Sequence, residues 1–79
     1  MKIEVVRWID TFGCPQGWEF EDEVECKAVV VTSVGFVFKE SDSMVVLVPH
    51  RSNAERPQIA GYIGIPVEQI ISREVIAEK

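Results

Sequence analysis

Runs of β-branched and aromatic residues alternate along this chain with polar, glycine-bearing or proline-bearing breaks, a rhythm that predicts strands. Residues 3–9, with Val5, Val6 and Trp8, form the first run, bounded by Asp10 and the turn-forming residues 13–17. Residues 26–39 carry Val29, Val30, Val31, Val34, Phe36, Val37 and Phe38, a composition that favours strand over helix. That run is longer than an ordinary strand, and Gly35 inside it supplies a place for a bulge or bend, so that one strand can turn a barrel corner and join both sheets. The polar residues 40–43 predict a hairpin connection, and residues 44–48 its returning strand. Pro49 ends that strand by removing a ladder donor. After a loop at 51–57, residues 58–64 predict a fourth strand, weakened locally by Gly61 and Gly64. Residues 65–69 place Pro66 where the first turn of a helix tolerates it, and residues 70–76 predict the closing strand. No repeat, linker or low-complexity tract divides this plan, so residues 1–79 are expected to form one small β-barrel domain.

Side chains alternate between the two faces of a strand, so Val29, Val31 and Val37 cannot share a face with Val30, Val34, Phe36 and Phe38 in an unbroken run. Both faces of the second strand are therefore apolar. In a closed barrel the surplus must be covered by the long loop, by the bend at Gly35 or by another subunit. Homo-oligomerisation follows as an option, with strand edges its usual route. Trp8, within the first strand, is expected in the core.

The chain has 79 residues, near the lower limit at which one apolar core suffices to fold alone. Its hydrophobic fraction of 47% and charged fraction of 27% are those of ordinary globular proteins, which argues against disorder. The formal net charge of −5 argues against nucleic acid, because sequence-independent affinity for DNA or RNA comes from lysine and arginine releasing counterions. The nearest basic stretch, residues 50–56, is interrupted by Glu55 and reads as a solvated loop. Glu4 and Arg7 break the apolar core a signal peptide needs, and the longest apolar run falls far short of the roughly 20 residues that span a bilayer. A cytoplasmic protein without a membrane segment is expected. Cys14 and Cys26 form neither a Cys-x-x-Cys pair nor a metal-spaced set with histidine; they read as idle thiols, or as a bridge pinning the first loop to the following strand.

Candidate chemistry is sparse. His50 is the single histidine, and no pattern assembles it with Cys14, Cys26 or a serine into an activated nucleophile, so no enzyme is expected. Glu21, Asp22, Glu23 and Glu25 are oxygen donors a calcium ion could take, but the run lacks the glycine and alternating ligands of an EF-hand loop and reads as solvated. Residues 61–64 lack the lysine and the strand-to-helix setting of a phosphate loop, and no cofactor is expected. The better lead is Trp18, in the long first loop beside Phe20, Glu21, Asp22 and Glu23: an aromatic platform rimmed by carboxylates suits a basic peptide or protein surface. The competing reading makes Trp18 a lid over the barrel core.

Five strands, a long first loop, a bent second strand and a one-turn helix before the last strand resemble the small barrels of the Src-homology-three-like and Sm-like classes. Trp8 and Asp10, the Gly17-Trp18 pair, Gly35-Phe36-Val37, Val46-Leu47-Val48 and the Ile65-Pro66 turn also look like small uncharacterised proteins of phage and bacterial genomes, a resemblance that implies no known activity. Sm-like proteins place a helix before the first strand, whereas this chain enters strand one at Ile3, which argues against an RNA-binding ring. Two function classes remain. One is a protein-interaction module, an adaptor or inhibitor presenting the acidic, Trp18-bearing loop to a basic partner. The other is an oligomeric binder of small anionic ligands, with pockets where subunits meet and His50, Arg51 or Arg56 supplying charge.

Overall fold

The computed structural model describes residues 1–12 and 16–79. Its main element is a five-stranded antiparallel sheet. The strands in chain order are β1 (Lys2–Asp10), β2 (Val29–Glu40), β3 (Met44–Val48), β4 (His50–Arg51), β5 (Ile59–Ala60), β6 (Ile63–Pro66) and β7 (Ile70–Glu78). Within the large sheet the order is β6-β3-β2-β1-β7, and β4 with β5 forms a separate two-stranded ribbon. Short 3-10 turns occupy Glu21–Glu23 and Val67–Gln69. Among the described residues no helix is long and apolar enough to cross a membrane.

The long second strand divides its pairing between two neighbours. Residues 29–36 pair with β1 and residues 36–40 with β3, so Phe36 lies in both ladders. The register break in this strand falls between Val37 and Lys39, one turn of the pleat beyond the expected glycine. Gly35 contributes differently: a Cβ there would stand 3.1 Å from the Val48 carbonyl oxygen, so its missing side chain lets β3 cross closely. The hairpin at 41–43 is closed by the Ser41 amide donating to the Met44 carbonyl at 2.8 Å, while Ser41 Oγ accepts from the Met44 amide at 3.2 Å.

The strand expected over 58–64 is two strands. Gly61 sits between them at φ 72°, a left-handed conformation in which an L side chain is strained, and this redirects the chain from the β4–β5 ribbon into the main sheet. Pro66 also departs from expectation. It ends β6 with an extended backbone (φ −61°, ψ 131°) and caps the Val67–Gln69 turn from outside instead of opening it. The closing strand runs two residues beyond 76.

Burial alternates along β1 and β2 as the pleat requires. Val6 and Trp8 are buried while Arg7 and Ile9 are exposed, and Val31 packs on the core while Val30 and Val34 face outward. The core is Val6, Trp8, Val45, Leu47 and Ile65, flanked by Val31, Val37 and Ile70. Ile65 and Ile70 come from opposite ends of the sheet, so the sheet curls around this one face. It does not close: β6 and β7 are the two ends of the sheet and no ladder joins them, which replaces the expected closed barrel with a curled, open all-β sheet among the described residues. Each core side chain contributes about 1.5–3 kcal/mol of burial, and Trp8 adds a hydrogen bond from Nε1 to Ser33 Oγ at 3.0 Å.

At the end of the inner face near the chain termini sits an ionic group. Arg73 on β7 donates Nε to Glu4 Oε1 at 2.7 Å and Nη2 to Glu4 Oε2 at 2.9 Å, and its Nη1 reaches Glu40 Oε1 at 3.3 Å. Glu4 is buried, and every buried side-chain polar atom among the described residues has a partner. The hydrogen bond to Glu4 is the main cause that raises the Arg73 pKa above its ordinary value, with Glu40 adding to it and burial opposing.

Candidate functional site

The arm ahead of β2, residues 16–28, lies outside the sheet and is exposed throughout. Its backbone makes its own local structure: the Glu23 amide donates to the Phe20 carbonyl at 3.0 Å and the Val24 amide to the Glu21 carbonyl at 3.3 Å, forming the turn Glu21–Glu23. Gly17, at φ 92° in the left-handed region that glycine tolerates, bends the chain just before Trp18. Trp18 is fully exposed and Phe20 is 76% exposed, with Phe12 and Val24 also largely in solvent. In this structure Trp18 is therefore a projecting side chain and forms no lid over the core. Glu21, Asp22 and Glu23 all stand on the turn with no buried member, and Lys27 pairs with Glu25 at 2.8 Å on the exposed surface. Among the described residues no three histidine, cysteine or acidic side chains lie close enough to hold a metal ion.

Charge is distributed unevenly. Glu19, Glu21, Asp22, Glu23 and Glu25 are five of the thirteen acidic residues, and the remaining eight balance the eight lysines and arginines. The whole formal net charge of −5 thus resides on this one short stretch of the arm.

The second set of expected residues is only partly assembled. His50 and Arg51 form β4, opposite Ala60 and Ile59 of β5. The ribbon is continued by the Ser52 amide donating to the Gln58 carbonyl at 2.9 Å and the Gln58 amide donating to Ser52 Oγ at 2.9 Å. Beside it opens a shallow cleft of about 510 Å³ lined by Phe36, Pro49, His50, Arg51, Ser52 and Gln58 along with Ile59 and Ala60. Arg56 is exposed and outside that lining. The lining residues all come from this one chain.

Ser52, Gln58 and Phe36 were not singled out from sequence. Ser52 and Gln58 meet only because the ribbon folds back, whereas Phe36 reaches the cleft because β2 switches partners there. Cys26 is an exposed free thiol, and its considered bridge to Cys14 lies outside the described residues. No known protein family, curated protein or solved structure matches the chain.

Proposed function

We propose that this chain is a non-enzymatic protein-interaction module, an adaptor or inhibitor that docks its acidic, aromatic arm on a basic partner surface. The observation that carries the reading is the coincidence of Trp18 and Phe20, both bare to solvent, with the entire net charge of the chain. Exposed indole and phenyl rings are costly in water and are enriched in interface hot spots, and a carboxylate rim steers them toward positive potential. In keeping with the strand order and the 3-10 turn before the last strand, we read the fold as an opened relative of the Src-homology-three-like and Sm-like barrels, in a cytoplasmic setting and of phage or bacterial kind.

The test is affinity capture from the host with the whole chain, compared with Trp18→Ala and with a variant carrying amides at Glu19, Glu21, Asp22 and Glu23. One protein with a basic surface should be retained by the unaltered chain and lost from both variants. A captured set identical across all three sinks the proposal.

A second reading draws on the cleft: Arg51 and His50 beside Ser52, Gln58 and an apolar wall would receive a small anion. Retained ligand mass that disappears with Arg51→Ala but survives Trp18→Ala would favour it.

A further inference from the structure

The outer face of the large sheet is apolar; Val48 and Phe36 at one end lie under or beside the β4–β5 ribbon, while the part around Ile9, Val30 and Val34 is uncovered. In the β1–β2 ladder Ile3 stands opposite Phe36, Val5 opposite Val34, Arg7 opposite Thr32 and Ile9 opposite Val30, all on the face turned away from the core. Val34 is 55% exposed, Val30 45% and Ile9 42%, so neither the arm nor the β4–β5 ribbon shields them. On the neighbouring strand β7, Glu74 is opposite Val5 and Ser72 opposite Arg7, which sets Glu74 and Arg7 one pair apart on the same face. Among the described residues neither Arg7 nor Glu74 forms an ion pair.

We infer that this face is the interface of a symmetric homodimer, its occupant a second copy of the chain. The first argument is electrostatic. Beside its apolar pairs the face carries Arg7 and Glu74 next to each other, with Lys39 farther along β2 opposite Val46, so the Arg7–Glu74 pair can complement its own copy. A two-fold axis lying between two such sheets and bisecting the Arg7–Glu74 line brings each guanidinium against the other copy's carboxylate. The arm, whose one cation Lys27 is already held by Glu25, has no such self-complementarity and serves a different partner.

The second argument is area. A folded monomer of this mass is expected to expose about 4,800 Å², whereas this chain exposes 6515 Å². Its radius of gyration is 16.2 Å, against about 12 Å for a compact chain of its length. The excess of about 1,700 Å² equals roughly two half-interfaces of standard size, at about 800 Å² each.

Edge pairing fits less well. β6 offers only Ile63–Pro66, and β7 carries register breaks on both sides of its central residues, features that blunt an edge. Face-to-face packing leaves both arms free, and the dimer presents its acidic aromatic arm twice, which raises avidity for any partner with repeated basic sites.

The experiment is sedimentation equilibrium or native mass spectrometry of the whole chain over a concentration series, with four variants. Arg7→Glu and Glu74→Arg should each weaken dimerisation by about tenfold or more, since each places like charges together. The double exchange Arg7→Glu/Glu74→Arg should restore it. Trp18→Ala should leave the dimer intact, which separates this inference from the proposed role of the arm. All three positions are exposed, so circular dichroism should show unchanged folding. A chain that stays monomeric at high concentration, a double exchange no better than its single members, or a dimer lost only with Trp18→Ala would each overturn the inference.

Discussion

Arg73 grips Glu4 with two parallel hydrogen bonds, at 2.7 and 2.9 Å, and so ties the last strand to the first across the inner face of the sheet. The arrangement is the fork-on-carboxylate geometry for which arginine is suited and lysine is not. Because Glu4 is buried and Arg73 is only partly so, the pair is asymmetric: removing the guanidinium strands a carboxylate away from water. Arg73→Met is expected to destabilise the fold by roughly 2–4 kcal/mol, and Glu4→Leu/Arg73→Met to recover most of that loss. Urea unfolding of both variants checks it.

The same contact has a predictable pH signature. Pairing raises the Arg73 pKa, so the stabilisation it brings is fully present below the ordinary arginine value and is lost only as pH rises through the raised folded one. Between about pH 6 and 9 the difference in unfolding free energy between the native chain and Arg73→Lys should therefore be flat, because both cations stay charged there. A slope in that difference over this range would contradict the assignment, because Arg73 keeps its proton there in both the folded and the unfolded chain.

Trp8 closes the core with its ring and satisfies its indole N–H through Ser33 at 3.0 Å. Trp8→Phe retains most of the apolar contact and should cost about 1–2 kcal/mol, whereas Trp8→Ala opens a cavity and should cost about 3–5 kcal/mol. Thermal unfolding followed by circular dichroism distinguishes the two.

Gly35 is pressed by the crossing strand. Gly35→Ala would bring a methyl to 3.1 Å from the Val48 carbonyl oxygen, and the shift this forces should cost about 1–3 kcal/mol. Amide exchange should quicken first in the ladder between β2 and β3.

Trp18 has the opposite signature. Trp18→Ala should change stability by no more than about 0.5 kcal/mol, since the ring has no packing to lose. Its fluorescence should match a fully hydrated indole in the free chain and move to shorter wavelength when the partner binds.

Strand content was legible because β-branched and aromatic runs are punctuated by glycine, proline and serine clusters: the 41–43 hairpin, the span of β3 and the one-turn element before β7 all follow from local chemistry. The two apolar faces of β2 were legible too, as was the burial of Trp8, because the pleat has a period of two. The acidic arm could be found in the same way, as a change in composition.

Long-range geometry decided the rest. That β2 changes partner at Phe36, that residues 58–64 break at Gly61 and that the sheet curls without closing all depend on which strands meet, information carried by contacts distant in the chain. The pairing of Glu4 with Arg73, 69 positions apart, has no local signal, because each is an ordinary charged residue until the ladder aligns them. Likewise sequence left Trp18 open between core lid and projecting side chain. Only the exposure of Trp18 in the folded chain decided it, because burial depends on which distant surfaces a side chain meets.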